Sequence, residues 1–144
     1  MLTCMALDTA DALRAHYPII NEACERLSAR EGRLHFAPDI YATLLRGAAK
    51  GFVLLRDGSD VGFFMVQGTA DSEDRPALQL WIGYARPGTG DDVFGAGMEV
   101  CESIAAAEGR STFVFGTHRR GWLKRASRYG FELKEYLFEK RVSP

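Results

Sequence analysis

Apolar residues recur along this chain at two different periods, and the switches between them mark the elements. Leu2-Thr3-Cys4-Met5-Ala6-Leu7 is short, apolar and free of breakers, and reads as a first strand. Asp8-Thr9-Ala10-Asp11 then looks like a helix start, with Asp8 accepting amide hydrogen bonds as the cap and Asp11 near the positive end of the helix. Leu13, Tyr17, Ile20, Cys24 and Leu27 follow at helical spacing. Pro18 is expected to kink or break that helix, because it lacks an amide hydrogen and clashes one turn back. Beyond His35-Phe36, Pro38-Asp39 opens a second helix with Ile40, Leu44 and Leu45 on one face, closed by Gly47 or Gly51.

The period then drops to two. Gly51–Arg56 and Asp60–Gln67 are β-rich runs around Asp57-Gly58-Ser59, a strong hairpin signal. The polar, acidic stretch from Thr69 to Pro76 reads as an exposed loop leading to a third strand, Leu78–Tyr84. After the turn Arg86-Pro87-Gly88-Thr89-Gly90 the spacing predicts a helix from about Asp91 to Glu108, with Val93, Met98, Cys101, Ile104 and Ala105 on its apolar face. Thr112–Gly116 is a further strand, and the helix between it and Leu78–Tyr84 is long enough for a parallel crossover, a βαβ unit. A basic helix with Trp122, Leu123 and Ala126 on one face ends at Tyr129-Gly130-Phe131, and Phe131–Val142 alternates roughly as a terminal strand.

Composition narrows the class without naming a function. The 144 residues suit one domain spanning 1–144, which would bury about 70% of its unfolded-chain surface. Lys and Arg number 18 against 19 Asp and Glu, so no overall basic field exists to attract nucleic acid. No apolar run approaches the ~20 residues that cross a bilayer. Met1–Met5 lacks the basic start and apolar core of a signal peptide, so the expected location is the cytoplasm or, on the second reading below, a virion. Cys4, Cys24 and Cys101 show no paired spacing and read as reduced thiols; neither disulfide nor metal is expected.

Three local patterns, correctly spaced over nearly the whole chain, resemble the GNAT acyltransferase superfamily. They are the hairpin Asp57-Gly58-x-x-Val61-Gly62-Phe63, the strand–turn–helix unit ending in Ala107-Glu108-Gly109, and Trp122-x6-Tyr129-Gly130-Phe131. The resemblance implies an α/β (α+β) fold with a mixed, mostly antiparallel central sheet, a βαβ crossover and flanking helices. It also implies acetyl-CoA as cofactor, its diphosphate held by bare amides of an Arg/Gln-x-x-Gly-x-Gly/Ala loop at the crossover helix start.

This sequence departs from that pattern in two places. Counted back from Gly109, the Gly-x-Gly falls on Asp92-Val93-Phe94; Arg86-Pro87-Gly88-Thr89-Gly90 is one residue short and is followed by Asp91 and Asp92. Two carboxylates there would compete for the amides and repel a diphosphate, by ~1 kcal/mol each at 4 Å in water. The Tyr that many family members place to protonate the departing thiolate is Ala126 here, and their Asn is Arg119. If the chain is an enzyme, the candidate catalytic groups are Tyr84, Glu73 and Tyr129, with Asp74 or His35 as further bases, and the candidate cofactor-binding residues are Tyr84, Arg86, Gly88, Gly90, Arg119 and Arg120.

Two readings from different classes follow. One is an acetyl-CoA-dependent N-acyltransferase acting on a small-molecule or protein amine. The other, favoured by the missing loop and acid, is a non-catalytic structural or adaptor protein using no cofactor. Its partners would be other proteins, with a homo-oligomer possible and neither membrane nor nucleic acid involved. The run from Phe113 to Phe131 resembles the small degenerate GNAT-like proteins of tailed phages, which implies a virion or assembly role. Trp81 and Tyr84, on one strand at period two, point to opposite faces, one inward and one toward a cleft or partner.

Overall fold

A computed structural model describes residues 1–31, 35–117 and 119–142. A five-stranded sheet carries the fold: β1 (Leu2–Ala6), β2 (Lys50–Arg56), β3 (Ser59–Ala70), β4 (Pro76–Ala85) and β5 (Thr112–Val114), hydrogen-bonded in chain order. Every pair is antiparallel except β4 with β5, the crossover that the spacing of residues 78–116 predicts. The β2–β3 hairpin turns on Asp57 and Gly58, both at positive φ (51° and 85°), as an Asp-Gly turn requires.

Helices cover both faces. On one side lie α1 (Ala10–Ala15), α2 (Tyr17–Glu31) and α3 (Ala37–Leu45), whose Leu13, Ile20, Ile40 and Leu44 pack on Val53, Phe63, Met65, Ile82 and Tyr84. On the other lies α4 (Asp91–Ala107), whose Val93, Phe94, Met98 and Cys101 pack on Phe52, Phe64, Val66, Leu78 and Leu80. The first helix is capped by Thr9, not Asp8: the Thr9 hydroxyl accepts from the Ala12 amide at 3.1 Å. It ends at His16, and Pro18 falls in the first turn of α2, where its missing amide costs nothing.

One irregularity in β4 shapes everything after it. Met65 pairs with Ile82 but Val66 pairs with Leu80, so Trp81 has no partner on β3. The extra residue resets the alternation: Leu78 and Leu80 face α4, whereas Ile82 and Tyr84 face α2. Trp81 is left 37% exposed.

The C-terminal part departs from expectation. The basic helix is short, α5 (Trp122–Arg125) continuing as a 3-10 turn (Ala126–Tyr129). Phe131–Val142 forms no ladder with any strand. Its alternation suits a strand, but β5 is only three residues long, and an edge that short cannot hold a twelve-residue partner.

The β3–β4 loop is exposed as expected, and Asp71 holds it. Its carboxylate accepts from the Glu73 and Arg75 amides (2.9 and 3.0 Å), from Arg75 Nε (2.9 Å) and from the Thr112 hydroxyl of β5 (2.8 Å). The Arg75 amide first, with the other donors, pushes its pKa down to about 2 from 3.8. A depressed carboxyl stabilises the fold above its unfolded value and stops doing so as pH falls through its folded one. Acid titration followed by circular dichroism is therefore expected to show a stability loss between pH about 4 and about 2 that is smaller in Asp71→Asn, where only the other lowered carboxyls remain to titrate.

Candidate cofactor cleft

Parallel pairing between β4 and β5 lasts for three residue pairs, the last being Gln79 with Val114. Beyond it the strands separate, and the turn Arg86–Gly90 leads into the start of α4. This is where an open α/β sheet places a ligand, outside the carboxyl ends of parallel strands and against a helix amino terminus. Gly88 and Gly90 take positive φ (81° and 93°), and the Thr89 amide and hydroxyl both donate to the Arg86 carbonyl (3.3 and 2.6 Å).

The helix start already holds an anion, and it belongs to the chain. Asp92 sits in the first turn of α4, and its carboxylate is bound by Arg56 at 2.7 Å; the same guanidinium donates to the Thr89 carbonyl at 3.3 Å. Arg56 first, and then the Val93 and Asp92 amides, hold the Asp92 carboxyl below its usual range. A clamp from the end of β2 thus ties turn and helix start together. Asp91 is exposed.

Aromatic side chains fill the gap between the strands. Phe94 of α4 lies 5.2 Å from Trp122 and 5.7 Å from Tyr129, and Phe115, just past β5, lies 5.3 Å from Trp122 and 4.9 Å from Phe131. The Arg125 guanidinium stacks over Trp122 (4.5 Å) and Phe94 (5.0 Å). The remaining cavity, lined by Leu27, His35, Leu80, Trp81, Phe94, Phe115 and Trp122 among others, measures about 50 Å³.

No family model and no curated protein matches the sequence. Solved structures do. A GCN5-related N-acetyltransferase from Ralstonia eutropha JMP134 superposes with a TM-score of 0.76 at 15% identity, over 98% of this chain and 99% of that one. A ribosomal-protein-alanine N-acetyltransferase from Brucella melitensis biovar Abortus 2308 gives 0.70 at 16%, over 99% of each chain. This chain has the GNAT fold. An aminoglycoside acetyltransferase from an uncultured soil metagenomic sample matches as well, at 0.68 and 14% over 99% of each chain.

Ligand sites usually measure about 300–1,000 Å³, and the room between these strands is a small fraction of that. The amides at the start of α4 face a side-chain carboxylate that is neutralised from within the protein.

The sequence-predicted residues are scattered. Tyr84 is buried, its hydroxyl donating to Glu22 of α2 at 2.8 Å. Burial first, then that hydrogen bond and the Glu22 charge, push the Tyr84 pKa up to about 12, which makes it a weak proton donor. Arg86 turns the same way: Nε donates to Glu22 (3.0 Å) and a terminal nitrogen to the Asp60 carbonyl (2.8 Å). Burial alone would raise the Glu22 carboxyl, but the Tyr84 and Arg86 hydrogen bonds outweigh it and lower the pKa. Tyr129 belongs to the aromatic cluster. Arg119 and Arg120 are exposed and make no side-chain ion pair among the described residues. Glu73 lies in the β3–β4 loop, paired with Arg75, and Asp74 lies beside it. That is the end of β4 away from the Arg86–Gly90 turn, ten residues or about 30 Å along the strand from it. His35 is at the cavity wall, its amide donating to the Ser28 hydroxyl. Sequence reading missed Glu22, which joins Tyr84 and Arg86 from more than sixty residues away. It missed Arg56 too. Among the described residues no group of three or more His, Cys, Asp or Glu side chains could hold a metal ion.

Proposed function

We propose that this protein is a GNAT-fold chain that has lost acetyl-CoA transfer and works through contacts with other proteins. The observation that carries the reading is the Arg56–Asp92 clamp on the start of α4, where the cofactor's diphosphate would need free amides. The aromatic filling between β4 and β5 supports it independently, because it takes the space a pantetheine arm would occupy. Tyr84, one of the two candidate phenols, is tied to a carboxylate and raised to about 12, so it is poorly suited to protonate a thiolate. The setting we propose is a protein assembly in the cytoplasm or in a tailed-phage virion, the latter resting on the resemblance of the 113–131 run. No helix among the described residues is long and apolar enough to cross a membrane.

An N-acyltransferase is the second reading. What favours it is that the chain keeps the splay of β4 from β5 and an irregularity in β4 beside it, in a fold whose matched neighbours bear acetyltransferase names. Calorimetric titration with acetyl-CoA separates the two. The unmodified protein is expected to give no binding heat up to millimolar cofactor, and Asp92→Ala to gain weak binding as the amides and Arg56 are released. Micromolar binding to the unmodified chain would overturn the first reading and call for an amine-substrate screen.

A further inference from the structure

The strongest unexplained feature of the surface is the C-terminal segment. Leu133, Tyr136, Leu137, Phe138 and Val142 are 56–89% exposed, a concentration of bare apolar side chains that monomeric proteins avoid. The segment starts well anchored, with Phe131 packed on Phe113 and Phe115 (5.5 and 4.9 Å). By Lys134, which feels the charges of Glu73 and Arg75 in the β3–β4 loop, it has passed the three residues of β5. From Tyr136 on, no strand among the described residues pairs with it.

We infer that residues 134–142 pair antiparallel with the same segment of a second copy, the two-fold axis passing through Phe138. An isologous pair sets opposite each other residues whose numbers sum to twice the axial one. Centred on Phe138, the register faces Glu135 with Arg141, Tyr136 with Lys140, and Phe138 with itself. Each is a favourable cross-strand pair: an ion pair, a cation on an aromatic face and an aromatic stack. Centred on Leu137, Glu135 would meet Glu139 and Lys134 would meet Lys140; centred on Glu139, that carboxylate would meet its copy. Like charges directly opposite destabilise a ladder, which excludes both of these; a register centred on Tyr136 has no such clash but would pair Glu132 with Lys140, and Glu132 already holds Lys134 at 3.0 Å, which leaves the Phe138 register. Glu135, Glu139, Lys140 and Arg141 make no ion pair among the described residues, which leaves them available for a partner.

The same arithmetic sets the strength. Tyr136 and Phe138 from both copies, at about 150–250 Å² each, cover about 600–1,000 Å², the range of weak interfaces. A two-stranded ladder is marginal alone, so the dimer dissociates on dilution. This goes beyond the proposed loss of transfer chemistry and does not depend on it: acetyl-CoA binding would leave it standing.

Sedimentation equilibrium on the full chain over a wide concentration range tests the pairing, and because every altered side chain is exposed, the fold is not at risk. The unmodified protein is expected to dimerise reversibly. Glu135→Arg or Arg141→Glu alone is expected to weaken dimerisation at least tenfold, and the two together to restore it. Phe138→Lys abolishes it. A monomer at every concentration overturns the inference, as does a dimer indifferent to these changes; single losses without rescue in the double variant overturn the register.

Discussion

Gly97→Val is expected to be the most damaging single substitution in the α4–sheet layer, costing about 3 kcal/mol, the upper end for overpacking a core. A Cβ at Gly97 would stand 2.1 Å from Phe64 Cζ, with two more ring carbons at 2.3 and 2.6 Å. The ring cannot retreat. It is fully buried, stacked on Phe52 (5.4 Å between centroids, 4° between planes) and set against Phe94 at 5.5 Å. The up to ~1 kcal/mol of helix propensity gained on replacing glycine is too small to offset this. Denaturant unfolding should show the loss, and Phe64→Leu in the same chain should recover part of it, since the two sites share one contact. Equal stability of Gly97→Val and the parent would mean that α4 stands further from β3 than described.

Tyr84→Ala is expected to cost about 3–5 kcal/mol, as for other large buried aromatics. Tyr84 is among the largest fully buried side chains, wedged between β4 and α2. Tyr84→Phe removes only the hydrogen bond to Glu22, which keeps Arg86, and should cost about 1 kcal/mol. That contrast separates a packing residue from a catalytic one. A structural Tyr84 predicts the large and small stability losses in urea, whereas a free phenol serving chemistry would leave Tyr84→Phe as stable as the parent.

How much of this was legible depends on whether the signal is local. The Asp57-Gly58 hairpin is, because the turn demands positive φ at both residues and this dipeptide supplies it. The crossover from Leu78 to Val114 is legible from helix length alone, and the carboxylates at the start of α4 stand in plain view. Arg56, which completes the clamp, is 36 residues away along the chain and nothing near it announces the pair. The extra residue at Trp81 has no sequence marker either. Trp81 at the cleft and Tyr84 inside agree with the period-two expectation, but the alternation is broken between them and the bulge decides which face Tyr84 takes. The terminal segment shows the converse limit: alternation states how Phe131–Val142 would sit in a sheet, not whether an edge exists to receive it.

Whether the cleft is closed to acetyl-CoA is reported directly by the two tryptophans, since Trp81 and Trp122 are the only ones in the chain and both line the cavity. The measurement is a heteronuclear NMR titration of the ¹⁵N-labelled protein with acetyl-CoA, following the two indole N–H signals and the Asp92 and Val93 amides. All four are expected to hold their positions up to millimolar cofactor. Saturable shifts of these signals at micromolar acetyl-CoA would contradict closure and identify the cleft as a working cofactor site.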